Sequence, residues 1–134
     1  MISKLKKQLI ELIQSLGYNI SDNGAYEESF PWLMLRTSGH NRQDSWDIRY
    51  DIISLTIDIF SSYTGEKEIL DIIENISNNI NTMRKENDSI MAISQMSCRV
   101  VDDNEKGPVK KHGVITYRFL LSSLISETED EEDE

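Results

Sequence analysis

The stretch Ile53-Ser54-Leu55-Thr56-Ile57-Asp58-Ile59 constrains the fold more than any other part of the chain. Apolar and polar residues alternate there without a break, and side chains on a strand point to opposite faces in turn. A helix would scatter these isoleucines around its circumference. As a strand, the segment presents one greasy face and one polar face, so a sheet with a single covered side is expected. Upstream, Ile48, Tyr50 and Ile52 occupy the opposite phase. A bulge near Ile52–Ile53, or a strand end buried on both faces, accounts for that switch.

Two segments repeat at helical spacing and can supply the cover. Leu5, Leu9, Leu12, Ile13 and Leu16 predict a helix over residues 2–16, with Ser3 as its cap and Gly17 as its left-handed stop. Ile69, Ile73, Ile76, Ile80 and Met83 predict a second helix from about Gly65 to Arg84, capped by Thr64. The asparagines Asn75, Asn78, Asn79 and Asn81 are weak helix formers, so packing of the isoleucine face must hold its C-terminal half.

The remaining strands are shorter signals. Pro31 introduces Trp32–Arg36, followed by a polar loop from Thr37 to Ser45, while residues 18–30 read as a polar connection. In 91–101, Ala92, Met96, Cys98 and Val100 share a phase. A turn at 102–108 leads to a last strand, His112–Ser123, with Ile115, Tyr117, Phe119 and Leu121 in one phase. The order α-β-β-α-β-β predicts an α+β fold: a four-stranded antiparallel sheet of order 1-2-4-3 with two helices packed on one face. The other face would carry Ser54, Thr56, Asp58, Thr116 and Arg118.

With 134 residues the chain suits one domain, expected over 1–125. Its net charge of −10 is uneven. Residues 127–134 hold seven acids and no base, which leaves 17 of the 24 acids against 14 bases and a body near −3. Residues 126–134 therefore read as a disordered acidic tail. A mildly acidic body and a dense acidic tail give phosphate backbones nothing to bind, which argues against non-specific nucleic-acid binding. No apolar run approaches bilayer length, and Gln8, Glu11 and Gln14 interrupt any signal-peptide core, so a soluble protein made in the cytoplasm is expected.

Little in the chain points to catalysis. His40 and His112 lie far apart without ligand-like partners, so exposed or hydrogen-bonded histidines are expected, not a metal site. The single cysteine, Cys98, falls in the apolar phase of its strand and reads as a buried, inert thiol. The glycines form no phosphate-binding loop. The acids Asp47, Asp51 and Asp58, with Glu66 and Lys67, are loosely spaced for a metal-dependent nuclease, and an Asp58–Arg118 cross-strand pair is the simpler expectation. Trp32, Trp46, Tyr50, Phe60, Tyr63, Tyr117 and Phe119 lie on or beside strands with too few cations for a nucleic-acid platform, so core or subunit contact is expected of them.

One pattern of elements does suggest a role. The long strand ends Leu55-Thr56-Ile57-Asp58-Ile59-Phe60-Ser61, and the glycine loop Tyr63-Thr64-Gly65 leads into an acidic-started amphipathic helix, Glu66 to Met83. The strand His112-Gly113-Val114-Ile115-Thr116-Tyr117-Arg118-Phe119 closes the series. From Trp46 to Ser123 the chain resembles the tail-terminator, or tail-completion, proteins of tailed bacteriophages, and a leading helix like 2–16 suits that family. The acidic tail and the 37–45 loop depart from it. The resemblance implies a structural virion protein of the tail or neck, assembled in the host cytoplasm. Its subunits form a ring, usually hexameric, that caps the tail tube, stops its growth and joins tail to head. The implied partners are further copies of the chain, the tail tube and sheath proteins, and head–tail connector proteins, with DNA only as passing cargo. No enzyme activity, cofactor, metal or membrane is implied. A head–tail adaptor of the neck is the neighbouring alternative. The expected subunit contact comprises Arg49, Asp51, Thr56, Asp58 and Arg118.

Overall fold

The computed structural model describes residues 2–22, 29–103 and 107–125. In chain order these form α1 (Ile2–Ser15), β1 (Asn19–Ser21), β2 (Trp32–Asp44), β3 (Ile48–Ser61), α2 (Lys67–Asn79), a 3-10 turn (Ile80–Thr82), α3 (Met83–Glu86), β4 (Ile90–Asp102) and β5 (Lys111–Leu124). The expected acidic tail, the middle of the 18–30 connection and the middle of the 102–108 turn lie outside the described residues.

The strands make one five-stranded mixed sheet of order β1-β2-β3-β5-β4. This overturns the expected four-stranded antiparallel sheet of order 1-2-4-3. The strand that corrects it is β1, which pairs parallel to β2 through Asn19↔Trp32, Ile20↔Leu33 and Ser21↔Met34. A three-residue strand is too short to display a period of two, so it reads as part of a polar connection. The long strands β2, β3, β5 and β4 run antiparallel to their neighbours.

β2 also corrects the expected loop at 37–45. It continues to Asp44, pairing out to Asp44↔Arg49, with one register shift between Thr37 and Gly39. That bulge is on β2 and not at Ile52–Ile53, because β3 keeps an unbroken register with β5 from Ile48↔Leu124 to Ser61↔Lys111. Backbone pairing and cross-strand charge pairs hold this polar half of β2, where apolar alternation is missing.

The core occupies one face of the sheet. Ile53, Leu55, Ile57 and Ile59 of β3 cluster with Leu33 and Leu35 of β2 and with Ile115, Tyr117, Phe119 and Leu121 of β5. Leu5, Leu9 and Ile13 of α1, and Ile69, Ile72, Ile73 and Ile76 of α2, complete the same cluster. The closest approach of helix to sheet is at Gly113, where an added Cβ would stand 2.4 Å from Ile69 Cγ2. Only glycine lets α2 settle that close to β5.

Helix ends follow local chemistry. Gly17 takes φ +98°, and the bonds Gly17 N→Gln14 O (2.9 Å) and Tyr18 N→Ile13 O (3.4 Å) close α1 with a Schellman motif. α2 begins two residues later than expected, with Glu66 rather than Thr64 at its cap position and no side-chain cap bond. Its asparagine-rich end gives way to the 3-10 turn at Ile80, while Ile80 and Met83 stay buried. Packing holds these two side chains in place although the helical hydrogen bonding changes.

Candidate assembly interface

The open face of the sheet, opposite the helices, is tiled by internal contacts. At one end, Trp32, Phe60 and His112 lie side by side on β2, β3 and β5. Their rings stack, with centroids 4.5 Å apart for Trp32–Phe60 and 4.6 Å apart for Phe60–His112. Such a cross-strand ladder presents ring edges outward and packs the strands together.

Asp58 lies beside this stack and is only 3% exposed. Its Oδ2 accepts from Arg36 Nε at 2.8 Å, and its Oδ1 is 3.0 Å from His112 Nε2. Burial alone would raise this carboxyl, but the hydrogen bonds from His112 and Arg36, with their charges, hold it below the usual carboxylate range. One row further, Thr56 Oγ1 meets Thr116 Oγ1 at 2.8 Å and Ser38 Oγ at 3.0 Å.

These contacts redraw the expected interface residues. Asp58 pairs with Arg36 and His112 instead of Arg118, because Arg118 is opposite Ser54, two positions further along the same face than Thr56. Thr56 shares the open face but is buried. Arg118 is exposed there and makes no ion pair among the described residues. Asp51 and Arg49 sit in the opposite phase of β3, on the helix side of the sheet. Asp51, 1% exposed, receives Arg42 Nε at 3.2 Å and lies 2.7 Å from His40 Nε2. Arg49 donates to Asp44 at 3.3 Å. The five residues therefore do not form one patch, and Arg118 alone among the five offers an exposed group on the open face.

The same geometry separates the carboxylates of the nuclease alternative. Asp51 and Asp58 point to opposite faces of β3, and Asp47 sits in the turn before it. They cannot share a metal ion. Among the described residues no group of three His, Cys, Asp or Glu side chains is arranged to hold one. Each histidine instead contacts a buried aspartate. Cys98 is exposed and not buried: it stands opposite Ile115 on the helix face, as its phase predicts, but on the outermost strand, where no described residue covers the thiol.

Exposed apolar groups fall in three places. The turn between β2 and β3, closed by Ser45 N→Ile48 O at 2.8 Å, lifts Trp46 to 97% exposure. Leu124 is exposed nearby, at the β5 position opposite Ile48. At the far end of β3, Tyr63 is 62% exposed, and Leu70 is exposed on the first turn of α2. Along the outer strand β4, Met91, Met96 and Val101 are exposed. Sequence reasoning places Trp46 and Tyr63 only among strand-side aromatics. The available signal is local: each is a lone aromatic inside a polar turn, Asp44-Ser45-Trp46-Asp47 and Ser62-Tyr63-Thr64-Gly65. Burial by the body of the fold is not expected for a side chain in such a turn.

No helix of the described residues is long and apolar enough to cross a membrane. No known family model matches the chain, and no curated protein matches it.

Proposed function

We propose that this chain is a structural subunit of a phage neck or tail: a tail terminator that assembles with its own copies into a ring, caps the tail tube and joins it to the head. The observation that carries this reading is the distribution of exposed apolar side chains. The two most exposed of them sit at the two ends of the long β2–β3 hairpin, Trp46 at one and Tyr63 at the other. Two unlike sticky ends on one rigid sheet suit a repeated head-to-tail contact, which closes into a ring when its rotation permits. The internally bonded carboxylates and histidines support a structural role over a catalytic one.

The test is assembly on the natural substrate. Purified protein added to headless tails should bind the open ends of the tubes and form particles several times the 15.5 kDa subunit mass. Protein that stays monomeric and decorates no tube end contradicts the reading. Protein that binds tailless heads and ignores tubes moves the assignment to a head–tail adaptor.

A further inference from the structure

The two ends of the hairpin differ in shape as well as position. At the turn, Trp46 stands out as a knob. At the opposite end an open cleft of about 850 Å³ lies between the end of α1 and the start of α2. Its apolar walls include Tyr18, Phe30, Pro31, Tyr63 and Ile72. β3 separates the two features, and 14 residues at roughly 3.3 Å each put knob and cleft about 45 Å apart. Trp46 therefore cannot fill the cleft of its own chain.

We infer that Trp46 of one copy seats in the Tyr18–Phe30–Tyr63 cleft of the next. The inference rests on the ring-subunit reading and names the two surfaces that meet. The chemistry matches at three points. Aromatic and proline walls suit an indole, and a tryptophan that fills a pocket is a common interface anchor. The indole N–H is a donor only, and the carboxylates of Glu68 and Asp71 line the same cleft. Asp47, next to Trp46, is opposite in charge to Lys67 at the rim; Lys67 is exposed, and its ammonium binds Asp71 at 2.6 Å with donors to spare. The exposed edge of β4 is the weaker contact, because its two register shifts interrupt the hydrogen-bonding row that a pairing strand needs.

A knob-in-cleft contact uses different patches on its two sides, and a mixing experiment exploits that. Trp46→Ala removes the knob and leaves the cleft, whereas Tyr63→Ala with Lys67→Glu damages the cleft and leaves the knob. Native mass spectrometry at high concentration should find each variant monomeric. Their mixture should form a one-to-one dimer and nothing larger, since one intact knob meets one intact cleft. Replacing Trp46 by the photo-crosslinker benzoylphenylalanine should join position 46 to peptides containing residues 63–72 of another copy. Full wild-type assembly by either variant alone, or crosslinks only to other regions of a second copy, overturns the cleft assignment while leaving self-assembly standing. A wild-type protein that never exceeds the monomer mass, in solution or on tube ends, overturns the ring reading itself.

Discussion

The two halves of the β2–β3 hairpin are built from the same pair of strands and are held by different forces. Near Leu55–Ile59, β3 is buried on both sides, with isoleucines against the helices on one face and Thr56 and Asp58 beneath bonded neighbours on the other. Toward the turn, the apolar partners run out. There His40 and Arg42 on Asp51, and Arg49 on Asp44, take over. The Arg49–Asp44 pair is open to solvent on the Asp44 side and stabilises weakly, so beyond the buried Asp51 the turn half keeps its shape mainly through its backbone ladder and contributes little to global stability. The contrast suggests a division of labour. One half of the hairpin holds the fold together, and the other holds Trp46 away from it.

The largest break in this comparison comes from the buried half. Phe119→Ala removes a fully buried ring opposite Ile53 and should cost about 3–5 kcal/mol, read as a lowered urea midpoint. Gly113→Ala attacks the same region by overpacking: its Cβ meets Ile69, and a loss of about 1–3 kcal/mol is expected. At the root of the turn half, Asp51→Ala removes the acceptor shared by His40 and Arg42. It should cost about 1–2 kcal/mol, with hydrogen exchange rising first in residues 40–50. An equal rise across the core strands would contradict the division.

A pH experiment sharpens the picture on the open face. The Asp58 carboxyl is held below its unfolded value, so the folded state binds that proton less readily. Its contribution is present at pH above about 3.9 and is lost as pH falls through the folded value. The stability gap between wild type and Asp58→Asn should therefore be full at pH 7 and shrink steadily below pH 4. A gap that is constant with pH contradicts the Arg36–Asp58–His112 arrangement. The smallest effect on stability belongs to Trp46→Ala, expected within about 0.5 kcal/mol, because that side chain touches almost nothing in its own subunit.

How much of the molecule is legible in the sequence varies by element, for physical reasons. The alternation of 53–59 and the leucine stripe of 5–16 announce themselves because one face of each is buried. Asn19–Ser21 and the polar half of β2 do not, since their place in the sheet depends on a neighbouring strand and not on their own pattern. The phase of Cys98 misleads because it places the thiol on the helix face, opposite Ile115, yet β4 is the outermost strand and the cover does not reach it there, which alternation cannot announce. The expected contact residues divide between two faces, since Arg49 and Asp51 occupy one phase of β3 and Thr56 and Asp58 the other. Trp46 is visible as a residue, but its isolation at the end of a projecting hairpin is a property of the fold.

The most direct test of the account is the native mass of the protein before and after Trp46→Ala, at matched concentration on tube ends or in solution. The wild type should form a closed particle of several 15.5 kDa subunits, and the variant should remain a folded monomer with an unchanged melting temperature. Equal masses for the two proteins would mean that the exposed indole plays no part in assembly.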